Sequence, residues 1–244
     1  MASHHGNRSG ARVDNPPGVP LRWLLEKAER VKTLIVKIEP DSVPDDVIET
    51  IAGVLLRDGV MAYPTETFYG LGAVFFSGKA VRRIYCLKAR DAGKPLSLIV
   101  SGLDMIAEIA AVPTPVFSSL AGEFWPGPLT LVLKASPSFP ARLAGPGHTI
   151  GVRIPSVPWL RRLVYEVGLP ITATSANTSG EGEISDPAEI LRIFNDKVDI
   201  IVDGGPTPGG QASTIVDISG PTPRILREGA VPAGKLEQYL SEMS

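Results

Sequence analysis

Residue types that build several familiar kinds of site are scarce in this 244-residue chain. Its single cysteine, Cys86, excludes an intramolecular disulfide and fits a reducing cytoplasm. Of its three histidines, His4 and His5 stand side by side near the N-terminus, and only His148 lies in the body of the chain. A Cys/His zinc site and a Ser-His-Asp triad are therefore poor interpretations.

Long apolar runs and a large charge of one sign are also absent. No apolar stretch approaches the roughly 20 residues that a membrane-spanning helix needs. The net charge is −2, so the chain is not a generally basic nucleic-acid-binding protein, and any cationic site must be local. The sequence does contain 43% hydrophobic and 20% charged residues, which is typical of a globular protein with a sizeable core.

The chain divides into a short leader and one domain. Residues 1–30 are rich in Gly, Pro and small polar residues, and we predict a largely disordered leader with a short helix over 21–31. From 31 to 240, strand and helix patterns alternate, which predicts a single α/β domain whose sheet becomes mixed where strands follow one another late in the chain. Strands are predicted at 33–38, 60–63, 96–100, 129–134, 150–154, 171–174, 200–203, 214–218 and 224–227, and helices at 44–57, 79–87, 103–110, 116–123, 158–167 and 187–194.

Two glycine-rich stretches fail as nucleotide-binding loops. "YPTETFYGLGA" (63–73) has Gly70 and Gly72, but Phe75 occupies the third glycine position of a dinucleotide-binding loop, where helix and strand pack closely. "GGPTPGGQAST" (204–214) has Gln211 and Ala212 where a P-loop requires Lys and a hydroxyl residue. The glycines therefore do not predict a phosphate cradle.

The segment 79–94, "KAVRRIYCLKARDAGK", is strongly cationic. Six cations against one acid give it a local excess of five positive charges. For its first three cations a solvated helix face is the simpler interpretation. Lys88, however, falls on the same helix face as Val81, Ile84 and Tyr85, so it either extends its ammonium to solvent or points into a cleft. With Arg90 and Lys94 it could bind a triphosphate.

Polar residues at two strand ends are further candidates. In "TATSANTSGE" (172–181), Ser175, Asn177 and Ser179 could bind a ribose or phosphate at the end of a strand, although turn capping explains them equally well. Arg153 alternates with Val152 and Ile154, so it faces the opposite side of its strand, where it could bind a carboxylate or simply face solvent.

Together these stretches resemble the YrdC/TsaC-type family of L-threonylcarbamoyladenylate synthases. The matching motifs are "YPTETFYGLGA", "LKAR" with "KPLSLIV", "WPGPLTLVL", "GVRIP", "TSANTSGE", "STIVDI" and "ILREGAV", in family order from about 34 to 231. The resemblance is to the short form, a single YrdC-like domain. It implies a twisted, open mixed sheet with helices packed on it and a cationic concave face.

The resemblance also implies a reaction, in which L-threonine, bicarbonate or CO2, and ATP yield L-threonylcarbamoyl-AMP and pyrophosphate. This product serves the N6-threonylcarbamoyl modification of adenosine 37 in tRNA. Lys88 and Arg90 would be catalytic. The implied threonine contacts are Thr67, Arg153 and Ser213, and the implied ATP contacts are Lys88, Arg90, Lys94, Thr149, Ser175, Asn177, Ser185 and Arg227.

Further expectations concern cofactors, partners and location. ATP is expected as substrate, with Mg²⁺ held mainly by its phosphates rather than by protein ligands. A downstream threonylcarbamoyl transferase complex is the expected recipient of the product, with weak tRNA binding as a further expectation. The resemblance implies a cytoplasmic, nucleotide-binding transferase without membrane association.

The chain departs from the family pattern at several positions. Ile99 stands where some members have a histidine, Asp91 follows Arg90 in place of proline, and Ala212 precedes Ser213 in place of glutamate. The spacing around Ser185 is also looser. Two alternatives remain open: a YciO-like paralogue without synthase activity, and an RNA-binding or ribosome-maturation module on the same fold.

Overall fold

The computed structural model describes residues 31–91, 93–111, 114–178 and 180–241. The predicted leader and all but the last residue of its helix lie outside the described residues, as does Ser179. In the described part, α-helices span Asp45–Leu56 (α1), Gly78–Leu87 (α2), Leu103–Ile109 (α3), Pro115–Phe124 (α4), Pro158–Val167 (α5), Pro187–Phe194 (α6) and Ala233–Ser241 (α7). Strands span Leu34–Lys37 (β1), Met61–Pro64 (β2), Tyr69–Gly72 (β3), Ser97–Ile99 (β4), Leu129–Lys134 (β5), Thr149–Arg153 (β6), Ile171–Ser175 (β7), Ile200–Asp203 (β8), Thr214–Asp217 (β9) and Arg224–Arg227 (β10).

All ten of these strands join one mixed sheet in the order β1-β8-β2-β3-β7-β4-β6-β5-β9-β10. The pairs β1–β8, β2–β8, β4–β6 and β5–β9 are parallel, and the other pairs are antiparallel. The predicted α/β class with a large, open mixed sheet is confirmed. Within the described residues, no helix is long and apolar enough to cross a membrane.

Helices cover the two faces of the sheet unequally. Because side chains alternate along a strand, Ile200 and Val202 meet α1 and α5 on one face, while Ile201 meets α2 and α6 on the other. In the second half of the sheet, α4 and α7 pack on Leu98, Leu131, Val152 and Val216. The residues that alternate with these, Ser97, Thr130, Arg153 and Ile215, point to the opposite face, where a cleft lies open.

Several helix ends are fixed by the residues that the sequence provides. Ser77 accepts a hydrogen bond from the Ala80 N–H at the start of α2, and Asp186 accepts one from the Ala188 N–H at the start of α6. Gly168 ends α5 in the left-handed conformation, with φ 68°.

Two elements were not predicted from the sequence. The strand β3 forms a hairpin with β2, so the second half of "YPTETFYGLGA" is sheet and only 65–68 is loop. The C-terminal helix α7 was also missed.

The glycines of β3 leave room for a side chain of the neighbouring strand β2. A Cβ atom at Gly72 would lie 2.8 Å from Tyr63 Cε1, and one at Gly70 would lie 3.0 Å from Tyr63 Cζ. The buried ring of Tyr63 thus packs directly on the backbone of β3.

Candidate active site

The cleft on the uncovered face has a volume of about 180 Å³. Cross-strand neighbours form its floor: Tyr63 beside Gly70, Gly70 beside Ser175, and Ser97 beside Ala173. The remaining lining residues include Thr65, Thr67, Phe68, Arg90, Thr130, Arg153, Glu183, Ala212, Ser213, Ile215 and Arg227. The sheet therefore gathers one polar site from segments spread over 165 residues of sequence, from Tyr63 to Arg227.

Arg153 lies on the cleft floor as a largely unsatisfied cation. Its residue is only 7% exposed, its nearest recorded partner is Glu66, with Nη1 3.7 Å from Oε1, and its Nε lacks a hydrogen-bond partner among the described residues. Both buried carboxylate oxygens of Glu66 also lack hydrogen bonds there. A buried guanidinium that faces a cleft with donors to spare is suited to bind a carboxylate.

Hydroxyl groups flank this arginine on two sides. Thr67 is buried, and its Oγ1 lies 3.2 Å from Oγ1 of Thr65. Across the cleft, Ser213 Oγ lies 3.1 Å from Thr130 Oγ1. The three residues predicted to contact threonine, Thr67, Arg153 and Ser213, therefore line the same cleft.

Arg227 reaches the cleft because of a β-bulge. In β10, Ile225 pairs with Val216 and Arg227 pairs with Ile215, which leaves Leu226 as the extra residue. Without the bulge, Arg227 would share the core-facing side with Ile225. Instead, Arg227 donates from Nη2 to the Ser213 carbonyl at 2.6 Å, and burial lowers the pKa of its guanidinium.

Arg90 approaches the cleft from the end of α2. Its Nε donates to the Lys94 carbonyl at 3.2 Å and its Nη2 to the Pro95 carbonyl at 3.0 Å, which holds the loop after α2 in place. Lys94 itself is exposed and does not line the cleft as the described residues form it. The cleft therefore has three cationic groups, which are Arg90, Arg153 and Arg227.

Lys88 takes a different position from the one predicted. Its residue is 2% exposed, and its Nζ donates to the carbonyls of Ser175 (2.5 Å) and Asn177 (2.7 Å) and to Asn177 Oδ1 (2.9 Å). Burial, with a smaller contribution from the charge of Arg90, lowers the pKa of Lys88 to about 8, and Glu183 opposes this effect. Lys88 is buried, as Ile84 on the same helix face is, but its ammonium neither reaches solvent nor lines the cleft: it lies behind the cleft wall.

Asn177 and Ser175 complete this arrangement. Ser175 Oγ donates to Asn177 Oδ1 at 2.6 Å, and Asn177 Nδ2 donates to the Glu181 carbonyl at 2.6 Å. Ser175 lines the cleft, whereas Asn177 is buried beside it.

Two further residues predicted to contact ATP lie off the cleft. Thr149 begins β6, and its Oγ1 donates to the Pro146 carbonyl at 2.9 Å. Ser185 is half-buried, and its carbonyl accepts from the Thr207 N–H at 3.0 Å. Neither is among the lining residues in the described part of the chain.

Glu66, Glu183 and Thr130 were not assigned roles from the sequence. Glu183 lines the cleft among the cations, near Lys88 and Arg227. The signal for Thr130 was present, since it is the polar residue alternating with leucines in "LTLVLK". For the two glutamates no local pattern pointed to the site.

The described residues contain no group of three or more His, Cys, Asp or Glu side chains suited to a metal ion.

Comparison with known proteins extends this picture. The sequence profile of the Sua5/YciO/YrdC family, described as "Telomere recombination", matches residues 53–229. The chain is 34% identical to the threonylcarbamoyl-AMP synthase of Pyrococcus abyssi over 86% of its own length, and 31% identical to that of Bacillus subtilis over 90%. It covers 62% and 61% of those two relatives, so it spans about three-fifths of their length. A putative threonylcarbamoyl-AMP synthase of Methanocaldococcus jannaschii is 35% identical, and 89% of it is covered.

Solved structures agree with the fold. The crystal structure of P. abyssi Sua5 complexed with L-threonine superposes with a TM-score of 0.80 at 34% identity, over 86% of this chain and 62% of that one. Escherichia coli YciO superposes with a TM-score of 0.77 at 28% identity, over 85% of this chain and 99% of that one. The profile match, the identities and the shared fold together place the chain in the Sua5/YciO/YrdC family.

Proposed function

We propose that the protein is a threonylcarbamoyl-AMP synthase. In the proposed reaction, the amine of L-threonine adds to CO2 derived from bicarbonate, and the resulting carbamate oxygen attacks the α-phosphorus of ATP. The bond from that phosphorus to the bridging oxygen breaks, and pyrophosphate leaves. The relatives from P. abyssi and B. subtilis carry this activity in their names, and the P. abyssi protein has been crystallised with L-threonine.

The observation that carries the proposal is the state of Arg153. A free amino acid offers a carboxylate, and Arg153 is a buried guanidinium that faces the cleft with unused donors. The hydroxyls of Thr67 and Ser213 lie in the same cleft, where they can hydrogen-bond the threonine side chain or its ammonium. The small volume of the cleft suits an amino acid there, with the nucleotide extending towards the open side.

The chain contributes orientation and charge rather than a nucleophile. Arg90 and Arg227 both line the cleft, where they would neutralise negative charge that develops on the phosphates. Ser175 offers a hydroxyl in the same cleft. The other proposed nucleotide contacts are Lys94, Thr149, Asn177 and Ser185. Because none of them lines the cleft as described, these contacts require ATP to extend over the rim of the cleft. Holding the three substrates together supplies much of the remaining rate enhancement.

Mg²⁺ is proposed to arrive on the ATP phosphates, where it would shield their charge. Among the described residues that line the cleft, Glu183 is the one carboxylate. Delivery of the product to a threonylcarbamoyl transferase for tRNA modification, in the cytoplasm, is part of the same proposal, as is weak tRNA binding.

A YciO-like role without synthase activity is the second candidate, and the superposition with E. coli YciO favours it enough to require a test. The test is pyrophosphate release from ATP, with L-threonine and bicarbonate supplied together and then each withheld. Synthase activity requires release that depends on both, with an adenylate of threonylcarbamoyl mass. ATP binding without threonine-dependent release would instead support the YciO-like role.

A further inference from the structure

The buried ammonium of Lys88 uses all of its hydrogen-bonding capacity within the protein. An ammonium has three N–H donors, and Lys88 has three acceptors at 2.5, 2.7 and 2.9 Å. The residue is 2% exposed and is absent from the lining of the cleft. A lysine that binds phosphate directly would instead present free donors to the cleft.

The acceptors of Lys88 belong to one short turn. They are the backbone oxygens of Ser175 and Asn177 and the side-chain oxygen of Asn177, where β7 ends and the chain bends away from the sheet. The same Asn177 oxygen accepts from Ser175 Oγ at 2.6 Å, so the ammonium and the hydroxyl converge on one atom. The direction of the Ser175 hydroxyl in the cleft therefore depends on where Lys88 holds Asn177.

The turn has few other restraints on this side. Its backbone is tied to β3 through the Ala176 N–H, which donates to the Tyr69 carbonyl at 2.8 Å, and to the next loop through Asn177 Nδ2 and the Glu181 carbonyl. Three carbonyl-type oxygens pointing towards one place repel one another unless a cation lies between them. Loss of the ammonium would remove the donor that Lys88 gives to the two backbone oxygens and would leave Asn177 Oδ1 with only the Ser175 hydroxyl.

We propose that Lys88 is a positioning residue, which fixes the turn 175–177 and aims the Ser175 hydroxyl without touching ATP. The inference rests on the proposed function only for the statement that ATP is the ligand. The positive charge of Lys88 lies behind the cleft wall, where it adds to the electrostatic field of Arg90. The lowered pKa of Lys88 agrees with an ammonium enclosed by protein.

The first test is amide hydrogen exchange in ligand-free protein, with Lys88→Met, Lys94→Met and Lys79→Met as a matched set. Lys88→Met keeps the stem and removes the donors, so exchange of the Ala176 amide should rise about tenfold or more, and ATP affinity should fall. Lys94→Met should lower ATP affinity and leave the exchange of Ala176 unchanged. Lys79 lies exposed on the same helix, away from the cleft, and its variant should alter neither.

The opposite result would overturn the inference. If Lys88→Met folds, weakens ATP binding and leaves exchange of the turn unchanged, Lys88 is a phosphate ligand. Because exchange is measured without ATP, a failure of the wild type to bind ATP would count against the proposed function and not against the positioning role.

A second test uses wild-type protein and does not depend on how any variant folds. Lysines are acetylated briefly in the native state with and without ATP, and each site is quantified by mass spectrometry. Lys88 should resist labelling in both samples, whereas exposed Lys94 should react and become protected by ATP. Ready labelling of Lys88 without ATP, followed by protection with ATP, would contradict the positioning role.

Discussion

At the scale of single residues, Arg153 is a buried guanidinium whose hydrogen-bonding groups are only partly used in the ligand-free protein. Burying a guanidinium costs free energy unless its donors are used, and here Glu66 offsets the charge from 3.7 Å, beyond hydrogen-bond distance. Arg153 lines the cleft, and its Nε has no hydrogen-bond partner among the described residues. A carboxylate that enters can therefore complete interactions that the protein alone leaves incomplete.

Arg153→Lys should specifically impair the use of L-threonine. Lysine keeps the charge but loses the planar pair of donors, so we expect the KM for L-threonine to rise on the order of 100-fold while the KM for ATP changes little. The measurement is pyrophosphate release at varied threonine and saturating ATP, then the reverse. Arg192→Lys, at an exposed pair 3.3 Å from Glu189, is the matched control. If only the KM for ATP rises, Arg153 does not bind the amino acid.

Lys88 also leads to a prediction about stability and pH. Its pKa is about 8 in the folded protein and near 10.5 when unfolded, so between these values the unfolded chain binds more protons. Stability from this group should therefore rise with pH across that window. The charged groups that act on it are Arg90, which lowers its pKa, and Glu183, which raises it.

The expected slope is at most about 1.4 kcal/mol per pH unit in the free energy of unfolding. It is measured by urea denaturation between pH 7 and 10.5, as the difference between wild type and Lys88→Met, which cancels groups common to both. A difference that stays flat across this range would mean that Lys88 keeps its ordinary pKa in the fold.

The sequence anticipated the direction of these side chains but not their partners. Alternation along β6 placed Arg153 opposite Val152, and helix spacing placed Lys88 on the apolar face of α2. The acceptors of Lys88 lie 87 and 89 residues away in sequence, and only the pairing of distant strands brings them near. Likewise, Thr149 and Ser185 were chosen by motif position, which carries no information on the direction of a loop.

At the scale of elements, the β2–β3 hairpin could not be predicted from the sequence pattern. Tyr69–Gly72 is four residues long and half glycine, and glycine is depleted in strands because it has no side chain to pack and loses more entropy. Here the ring of Tyr63 supplies that missing packing from the neighbouring strand. The helices α5 and α6, with Pro at their first positions and clear apolar faces, were predicted to the residue.

Gly72→Ala should therefore destabilise the protein although it adds one methyl group. The added Cβ would lie 2.8 Å from Tyr63 Cε1 and 3.1 Å from Met61 Cε, in a region where neither side chain is exposed. We expect a loss of about 1–3 kcal/mol in the free energy of unfolding, measured in urea. Gly122→Ala, at a helical position with no atom within 4 Å of the added Cβ, is the control and should not destabilise. Equal stabilities of the two variants would show that Tyr63 moves aside freely.

At the scale of the whole molecule, the order of the sheet separates what the sequence could predict from what it could not. Alternating helix and strand patterns predicted the α/β class, and the family motifs predicted that threonine and nucleotide residues converge. Neither predicted that β1 would lie beside β8 or β5 beside β9. Local patterns determine which face of a strand is buried, whereas the neighbour of that strand depends on the packing of the entire chain.

The order of the strands determines how late during synthesis of the chain the cleft can form. The first strand of the sheet pairs with β8, and the cleft needs Arg227 from the edge strand β10, near the end of the chain. On the ribosome, where domains fold as their residues emerge, the hairpin that carries Thr67 is made long before the strand that carries Arg227. The two sides of the cleft therefore meet only after synthesis has passed Arg227, so the complete cleft forms late in the folding of the nascent chain.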